Sequence, residues 1–374
     1  MIKQYYKQAL AQLRQHPLIS IIGIVGTALS IFLIMLVVMM QQVKVAPFSP
    51  ESNRNRFLHV HYMSISHKDW GNGTSNGPMS VQTAREVYKS LKTPEAVTVY
   101  CCMTVSTPVS LPGAPAIGAD VRETDDTFFH VFDFQFTDGK PYDEATFTAG
   151  RPVAVITESI SRALFGSIQS VGKEFLLSHA PYRVVGVVKD VSTLADMAYG
   201  QVWIPFTSTN LSNDTWSDNH MGMMSVTLLA HDREDFDEIR AEAKRRMNEY
   251  NSILADQGYT LIDRNRPYDQ ETQSISFAAN LEPDLKAARR ERVIIFIILL
   301  LVPAINLSSM TQSRLRQRVA EIGVRRAFGS TRIEMVGQIV MENLVITLLA
   351  GAIGLLISIL FAYWGTDILF AQPY

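Results

Sequence analysis

Cysteine is almost missing from this chain: among 374 residues only Cys101 and Cys102 are cysteines, and they are adjacent. Neighbouring Cα atoms lie about 3.8 Å apart, closer than an ordinary structural disulfide spans. No disulfide framework is therefore expected, and the folded part has to be held by its core. Two chemical signatures are missing as well. No G-x-x-x-x-G-K-[ST] stretch occurs, which excludes a phosphate-cradling loop of that kind, and no G-x-S-x-G elbow presents a nucleophilic serine. A basic soluble face is lacking too. The net charge is −2 and the arginines gather in one short stretch, which argues against nucleic acid as a partner.

Long uncharged runs are what the chain has in plenty. Leu18–Met40 is roughly 23 residues without a formal charge, enough to cross a ~30 Å hydrocarbon core at 1.5 Å per residue. It is too long for a cleavable signal peptide, and Gln41-Gln42-Val43-Lys44 offers no small-residue cleavage site. Val293–Met310, about 18 residues, reads as a second span despite Pro303 and Asn306, whose freed backbone groups neighbouring helices can satisfy. Met335–Trp364 reads as a third, with Glu342 near its start, at the membrane interface or paired with a cation rather than facing lipid.

Between the second and third runs lies Thr311–Glu334, whose basic residues are all arginine: Arg314, Arg316, Arg318, Arg325, Arg326 and Arg332, opposed only by Glu321 and Glu334. The positive-inside bias places this loop in the cytoplasm. Lys3, Lys7, Arg14 and His16 before the first run, and no Lys or Arg after the third, give the same orientation. The expected layout is an amphipathic interfacial helix over 1–17, spans over 18–42, 292–310 and 335–364, an exported domain over 43–291, a cytoplasmic loop over 311–334 and an extracytoplasmic end over 365–374.

Within the exported block, the alternation in Phe57–Met63 predicts a strand. Val81, Ala84, Val87, Tyr88 and Leu91 predict a helix, and Ala96–Val105 a second strand. A similar half recurs as Met224–Leu229, an amphipathic helix Arg233–Leu254, and Tyr259–Asp263. These halves, about 55–106 and 220–268, flank a β-rich stretch of about 107–210 that is read as an inserted subdomain. In it, Thr157 caps a short helix that Gly166 stops. Gln270–Arg292 is read as a polar stalk helix, 270–291, running into the second span.

Candidate chemistry in the exported block is thin. His59 and His61 share one strand face near His67 and suit a metal, but a solvated edge strand explains them better. Glu123, Asp125 and Asp126, or Asp232, Glu234, Asp235, Asp237 and Glu238, offer paired carboxylates, yet helix N-terminal charge accounts for the second set. Asn72, Asn210 and Asn213 head glycosylation triplets of the kind that arise by chance. Small residues four apart in the spans, Gly23 to Thr27, Gly26 to Ser30, Ala350 to Gly354 and Gly354 to Ser358, point to close helix packing within the chain or between copies.

Arg318-Val-Ala-Glu-Ile-Gly-Val-Arg-Arg-Ala-Phe-Gly-Ser-Thr-Arg-Ile-Glu-Met, followed by Met341-Glu-Asn-Leu, closely resembles the signature of FtsX/MacB-like ABC transporter permeases. Leu164-Phe-Gly, Val171-Gly-Lys and Tyr182-Arg-Val-Val-Gly-Val-Val-Lys-Asp resemble that family's periplasmic core. The resemblance implies an α-helical membrane protein with a large α+β periplasmic domain, in the bacterial inner membrane with a cytoplasmic N-terminus. It implies four spans where this sequence shows three, so a fourth would be truncated, disordered or absent. It implies a non-catalytic subunit without its own cofactor, ATP and Mg being bound by a separate cytoplasmic ABC ATPase. Further implied partners are a second permease copy or related permease, membrane lipid, and a periplasmic adaptor or outer-membrane channel. Glu321, Ile322, Gly323, Arg325, Arg326, Ala327 and Gly329 become the residues expected to couple to the ATPase, with Gly323 and Gly329 allowing a tight turn or close approach. Mechanotransmission moving peptide, lipoprotein or antibiotic-like substrates is the implied activity. An FtsX-like regulator of cell-wall hydrolases and a membrane-tethered sensor are the alternatives.

Overall fold

The computed structural model describes residues 17–365. The chain divides into two compact units, Lys44–Leu285 and a second joining the stretch before residue 44 to the stretch after residue 285. The expected interfacial helix and the chain beyond residue 365 lie outside the described residues.

The membrane-type unit opens with α1 (Pro17–Val45). In the other unit β1 (Phe57–Val60), β2 (Met63–His67), β3 (Thr74–Gly77), α2 (Val81–Thr83, running on as a π turn Ala84–Lys89) and β4 (Ala96–Cys101) make the first half. The middle contributes β5 (Val105–Ser110), β6 (Ile117–Thr124), β7 (Phe136–Gly139), β8 (Val153–Thr157), α3 (Glu158–Phe165), β9 (Glu174–Leu177), β10 (Ala180–Val188) and β11 (Val202–Pro205). The second half follows as β12 (Met224–Leu229), α4 (Phe236–Leu254), β13 (Tyr259–Ile262), β14 (Tyr268–Asp269) and α5 (Gln270–Gln273).

The two halves build one layer pair. β12 lies between β4 and β1, antiparallel to both, and β1 is flanked on its other side by β14. On α4, Ile239, Ala243, Met247, Tyr250 and Leu254 recur at helical spacing, and they bury with Val87 and Tyr88 of α2 and Leu91 just beyond it against Leu58, Val60, Val97, Val226 and Leu228 of the sheet. At about 25 cal/mol per Å² of apolar surface, such burial is the main favourable contribution to the fold. Asp232 and Asp235 form a capping box at the start of the α4 region, so this acidic run serves the helix end.

The middle closes on itself. β11 pairs β8, β8 pairs β10, β10 pairs β9, β9 pairs β5, β5 pairs β6, and β6 returns to β11 in parallel register, Val121 opposite Val202. The result is a six-stranded barrel. Its interior is filled by Ala119, Val121, Ile156, Phe175, Val184, Val202 and Ile204, among others. Thr157 caps α3 by accepting from the Ile160 N–H, and Gly166 ends it at φ 68°.

Two readings change. His59 is not on a solvated edge: β1 has neighbours on both sides, and the imidazole is buried, bonded to Thr227 Oγ1 at 3.1 Å and Gln270 Oε1 at 2.8 Å. The stalk is not one helix over 270–291. α5 stops at Gln273, and the next helix, α6 (Leu285–Gln317), begins beyond Pro283. Between them the Ala279 carbonyl accepts from Arg266 Nη2 at 2.7 Å and Ser64 Oγ at 2.9 Å, holding the backbone in a non-helical path, while Pro283 biases Glu282 away from helix.

The membrane-type unit continues with α7 (Val319–Ala327) and α8 (Arg332–Leu360). Among the described residues, α1, α6 and α8 account for three segments long and apolar enough to cross a membrane, Ser20–Val45, Leu285–Gln317 and Arg332–Trp364.

Candidate coupling site at the membrane helices

The membrane unit is packed through small residues. A Cβ on Gly26 would come within 2.7 Å of Asn306 Nδ2, and one on Gly354 within 2.7 Å of the Ala28 carbonyl and 3.1 Å of Ile31 Cβ. A Cβ on Gly23 would meet the Met310 side chain, and Ala350 is fully buried. Asn306, a polar group inside a span, donates to Thr27 Oγ1 at 3.1 Å, so its amide does not face lipid unpaired.

At one end of this bundle the chain turns. α6 stops at Gln317, Arg318 takes a non-helical ψ of 13°, and α7 follows. The Arg318 guanidinium Nη1 donates to Glu342 of α8, at 3.1 Å to Oε2 and 3.3 Å to Oε1, and Gln338 Nε2 donates to the same carboxylate at 2.9 Å. Both charged side chains are largely buried, at 14% and 7% exposure. Thr311 Oγ1 reaches Asn343 Oδ1 at 3.0 Å, and Arg314 Nη2 donates to Ser20 Oγ of α1 at 2.8 Å. A cluster of polar side chains thus ties the ends of α1, α6 and α8 to the start of α7. A buried ion pair of this kind adds little net stability but strands a charge if one partner is lost, so it specifies the junction more than it strengthens it.

α7 itself is amphipathic over nine residues and leads to a turn at Gly329, whose φ of 93° is in the left-handed region. Thr331 then starts α8 with a capping box: its Oγ1 accepts from the Glu334 N–H at 3.3 Å, and Glu334 Oε2 accepts from the Thr331 N–H at 2.9 Å. Gly329 therefore meets the expected turn requirement, whereas Gly323 lies inside α7 with open space around it and makes no close approach. Ile322 is half-buried, while Arg326 and Ala327 are exposed; the side chains of Glu321 and Arg325 lie outside the described residues. Sequence reasoning passed over Arg318 as the hinge of this site. It also passed over Phe328 and Ile333, which stand 88% and 84% exposed on either side of the turn. Two large apolar side chains so presented form an anchor of the type that protein interfaces bury.

The other candidate carboxylates do not assemble into an acid–base pair. Asp125 is held by Lys89 Nζ at 2.7 Å, Thr98 Oγ1 at 2.6 Å and the Val99 N–H at 3.0 Å, a satisfied core arrangement. Glu123 has a separate partner, Thr209, whose Oγ1 donates to its Oε2. The two cysteines are free thiols.

Comparison with known proteins places this arrangement. Residues 18–246 match the MacB-like periplasmic core domain, and residues 293–373 match the FtsX-like permease C-terminal domain. The uncharacterized ABC transporter permease YknZ of Bacillus subtilis (strain 168) is 22% identical over 244 residues, covering 63% of this chain and 55% of that protein. The macrolide export ATP-binding/permease protein MacB of Burkholderia cenocepacia (strain HI2424) is 24% identical over 244 residues, covering 65% of this chain and 33% of that protein. The matched stretch thus spans about half of one relative and a third of the other. The crystal structure of the periplasmic region of MacB from Actinobacillus actinomycetemcomitans is 19% identical, with a TM-score of 0.37 over 54% of this chain and 88% of that one. With both domain families matched in order along the sequence, around three membrane-type helices and a large α/β unit, this protein belongs to the MacB/FtsX family of ABC transporter permeases.

Proposed function

We propose that this permease is driven by a separate cytoplasmic ABC ATPase that docks on α7 and the turn at Gly329. The observation that carries the reading is the exposed pair Phe328 and Ile333, flanking the turn that follows α7, a helix joined to the bundle through the buried Arg318–Glu342 contact. An apolar anchor rimmed by arginine suits a protein surface with a complementary groove and carboxylates, which a guanidinium binds bidentately. The arginine excess in Thr311–Glu334 supports a cytoplasmic position, with the Lys44–Leu285 unit on the periplasmic side of the inner membrane.

Chemistry then resides in the partner, which binds ATP and Mg. Nucleotide-driven motion of α7 is carried through α6 and α8 to the periplasmic unit by mechanotransmission, and the permease acts as a dimer with itself or a related permease. Peptides, lipoproteins or antibiotic-like molecules are the substrates proposed, since relatives of this family include proteins named for macrolide export.

Copurification in detergent with the candidate ATPase tests the docking site. Arg325→Glu combined with Arg326→Glu, and separately Phe328→Ala, should release the ATPase while leaving the permease folded. A complex of unchanged yield would make these side chains lipid contacts and reject the docking assignment.

A further inference from the structure

The barrel has an opening in its wall. On β6 the inward-facing row runs Ala119, Val121, Glu123, and the first two are buried in the barrel core. β5 pairs with this row only as far as Val105 opposite Val121, so the barrel is uncovered where Glu123 stands, opposite Ile204 of β11. A cavity of about 350 Å³ occupies that gap, walled by Cys101, Val121, Leu177, Tyr182 and Ile204, with Met103, Val105 and Ala180 at its mouth. It is a size suited to one small organic molecule.

An acidic side chain on an interior row is costly unless something compensates its charge. Here the protein supplies one hydroxyl: Thr209 Oγ1 donates to Glu123 Oε2, and no lysine, arginine or histidine forms an ion pair with the carboxylate among the described residues. We propose that this cavity binds a small organic cation, an amine whose apolar body lies against Val121, Leu177 and Ile204 while its ammonium group pairs with Glu123. The geometry favours that chemistry over a neutral ligand, because the ammonium provides the counter-charge the barrel omits. Burial pushes the Glu123 carboxyl up to about 7, so the empty site takes up a proton near neutrality and the cation displaces it. The neighbouring titratable groups are the hydroxyls of Tyr182 and Tyr142, both raised by burial, and the Cys101 thiol, lowered by the hydrogen bond from Cys102. None of these is cationic.

The inference stands independently of ATPase docking. Its test is a titration of the full chain in lipid nanodiscs with 1-naphthylmethylamine, with 1-naphthalenemethanol as the neutral counterpart, empty nanodiscs being subtracted. The amine should bind wild type about tenfold more tightly than Glu123→Gln, the scale of one charge-assisted hydrogen bond, while the alcohol should not distinguish them. Wild-type affinity for the amine should rise from pH 5.5 to pH 8, and that rise should vanish in Glu123→Gln. Ala180→Trp, which covers the mouth from an exposed position, should weaken the amine without disturbing the core. Equal amine affinity in wild type and Glu123→Gln, or undiminished binding to Ala180→Trp, overturns the assignment.

Discussion

Arg318 and Glu342, 24 residues apart, meet at 3.1 Å where one membrane helix ends and the short helix α7 begins. Arg318 is at once the break in the helix and the charge that pins the break to α8. Any displacement of α7 must therefore move this pair or move α8 with it. An ion pair with low exposure on both sides behaves as a rigid joint, because separating it leaves two desolvated charges.

Single substitutions at this joint should be costly and the exchange should recover part of the loss. Arg318→Glu alone and Glu342→Arg alone each place like charges together and should destabilise the unit by about 3–5 kcal/mol, the usual scale for breaking a buried pair. The exchanged pair, Arg318→Glu with Glu342→Arg, should regain a substantial fraction. Thermal unfolding in detergent of all four proteins gives the coupling term directly, and additive losses in the exchange variant would deny the pair its role.

Glycines of this chain fall into opposite classes. Gly354→Val should cost about 1–3 kcal/mol, because the new side chain drives into the Ala28 carbonyl and Ile31. Gly323→Ala should instead stabilise α7 by up to about 1 kcal/mol, since nothing surrounds that position and glycine is a poor helix residue. Melting temperatures of the two variants, read in one detergent, should move in opposite directions.

His59 makes the Lys44–Leu285 unit sensitive to acid. Burial holds its imidazole at about 4, well below the ordinary 6.5, with Gln270 and Thr227 as partners and His61, Arg54 and Asp269 as neighbouring charges. The folded state thus binds fewer protons than the unfolded one between these values. Its contribution is fully present above pH 6.5 and is lost as pH falls towards 4, at about 1.4 kcal/mol per pH unit at most. Glu123 works in the opposite sense, gaining stability as pH falls below about 7, so the total profile mixes both. The difference between wild type and His59→Gln isolates the histidine: the variant should lose less stability than wild type between pH 7 and pH 5. Parallel profiles would contradict the assignment.

Much of the architecture was legible because it rests on local periodicity. α4 shows its buried stripe at helical spacing, and three uncharged runs announce the membrane helices. The arginine-rich loop also carried its own signature. The barrel was less accessible, since its closure depends on β6 pairing with β11, strands far apart in sequence whose partnership no local pattern encodes. His59 was misread for the same reason: alternation gives a side chain's face, but burial comes from β14 and β12 lying on both sides. The stalk failed because Arg266 and the sequence-distant Ser64 both donate to the Ala279 carbonyl, which helical continuation would need. By contrast Thr331-x-x-Glu334 is a capping box readable in the sequence, and it would have fixed the start of α8. Glu123 was noticed only as one of several carboxylates, because its lack of a cationic partner is a property of the fold.

ATP hydrolysis by the permease–ATPase complex reconstituted in nanodiscs tests the central claim most directly. The comparison is between wild type, Arg318→Glu, Glu342→Arg and the exchanged pair, each checked for retained ATPase binding. The account predicts that both single variants bind the ATPase yet fail to alter its hydrolysis, and that the exchanged pair restores the effect. Wild-type hydrolysis in both single variants, with the complex intact, would contradict transmission through this joint.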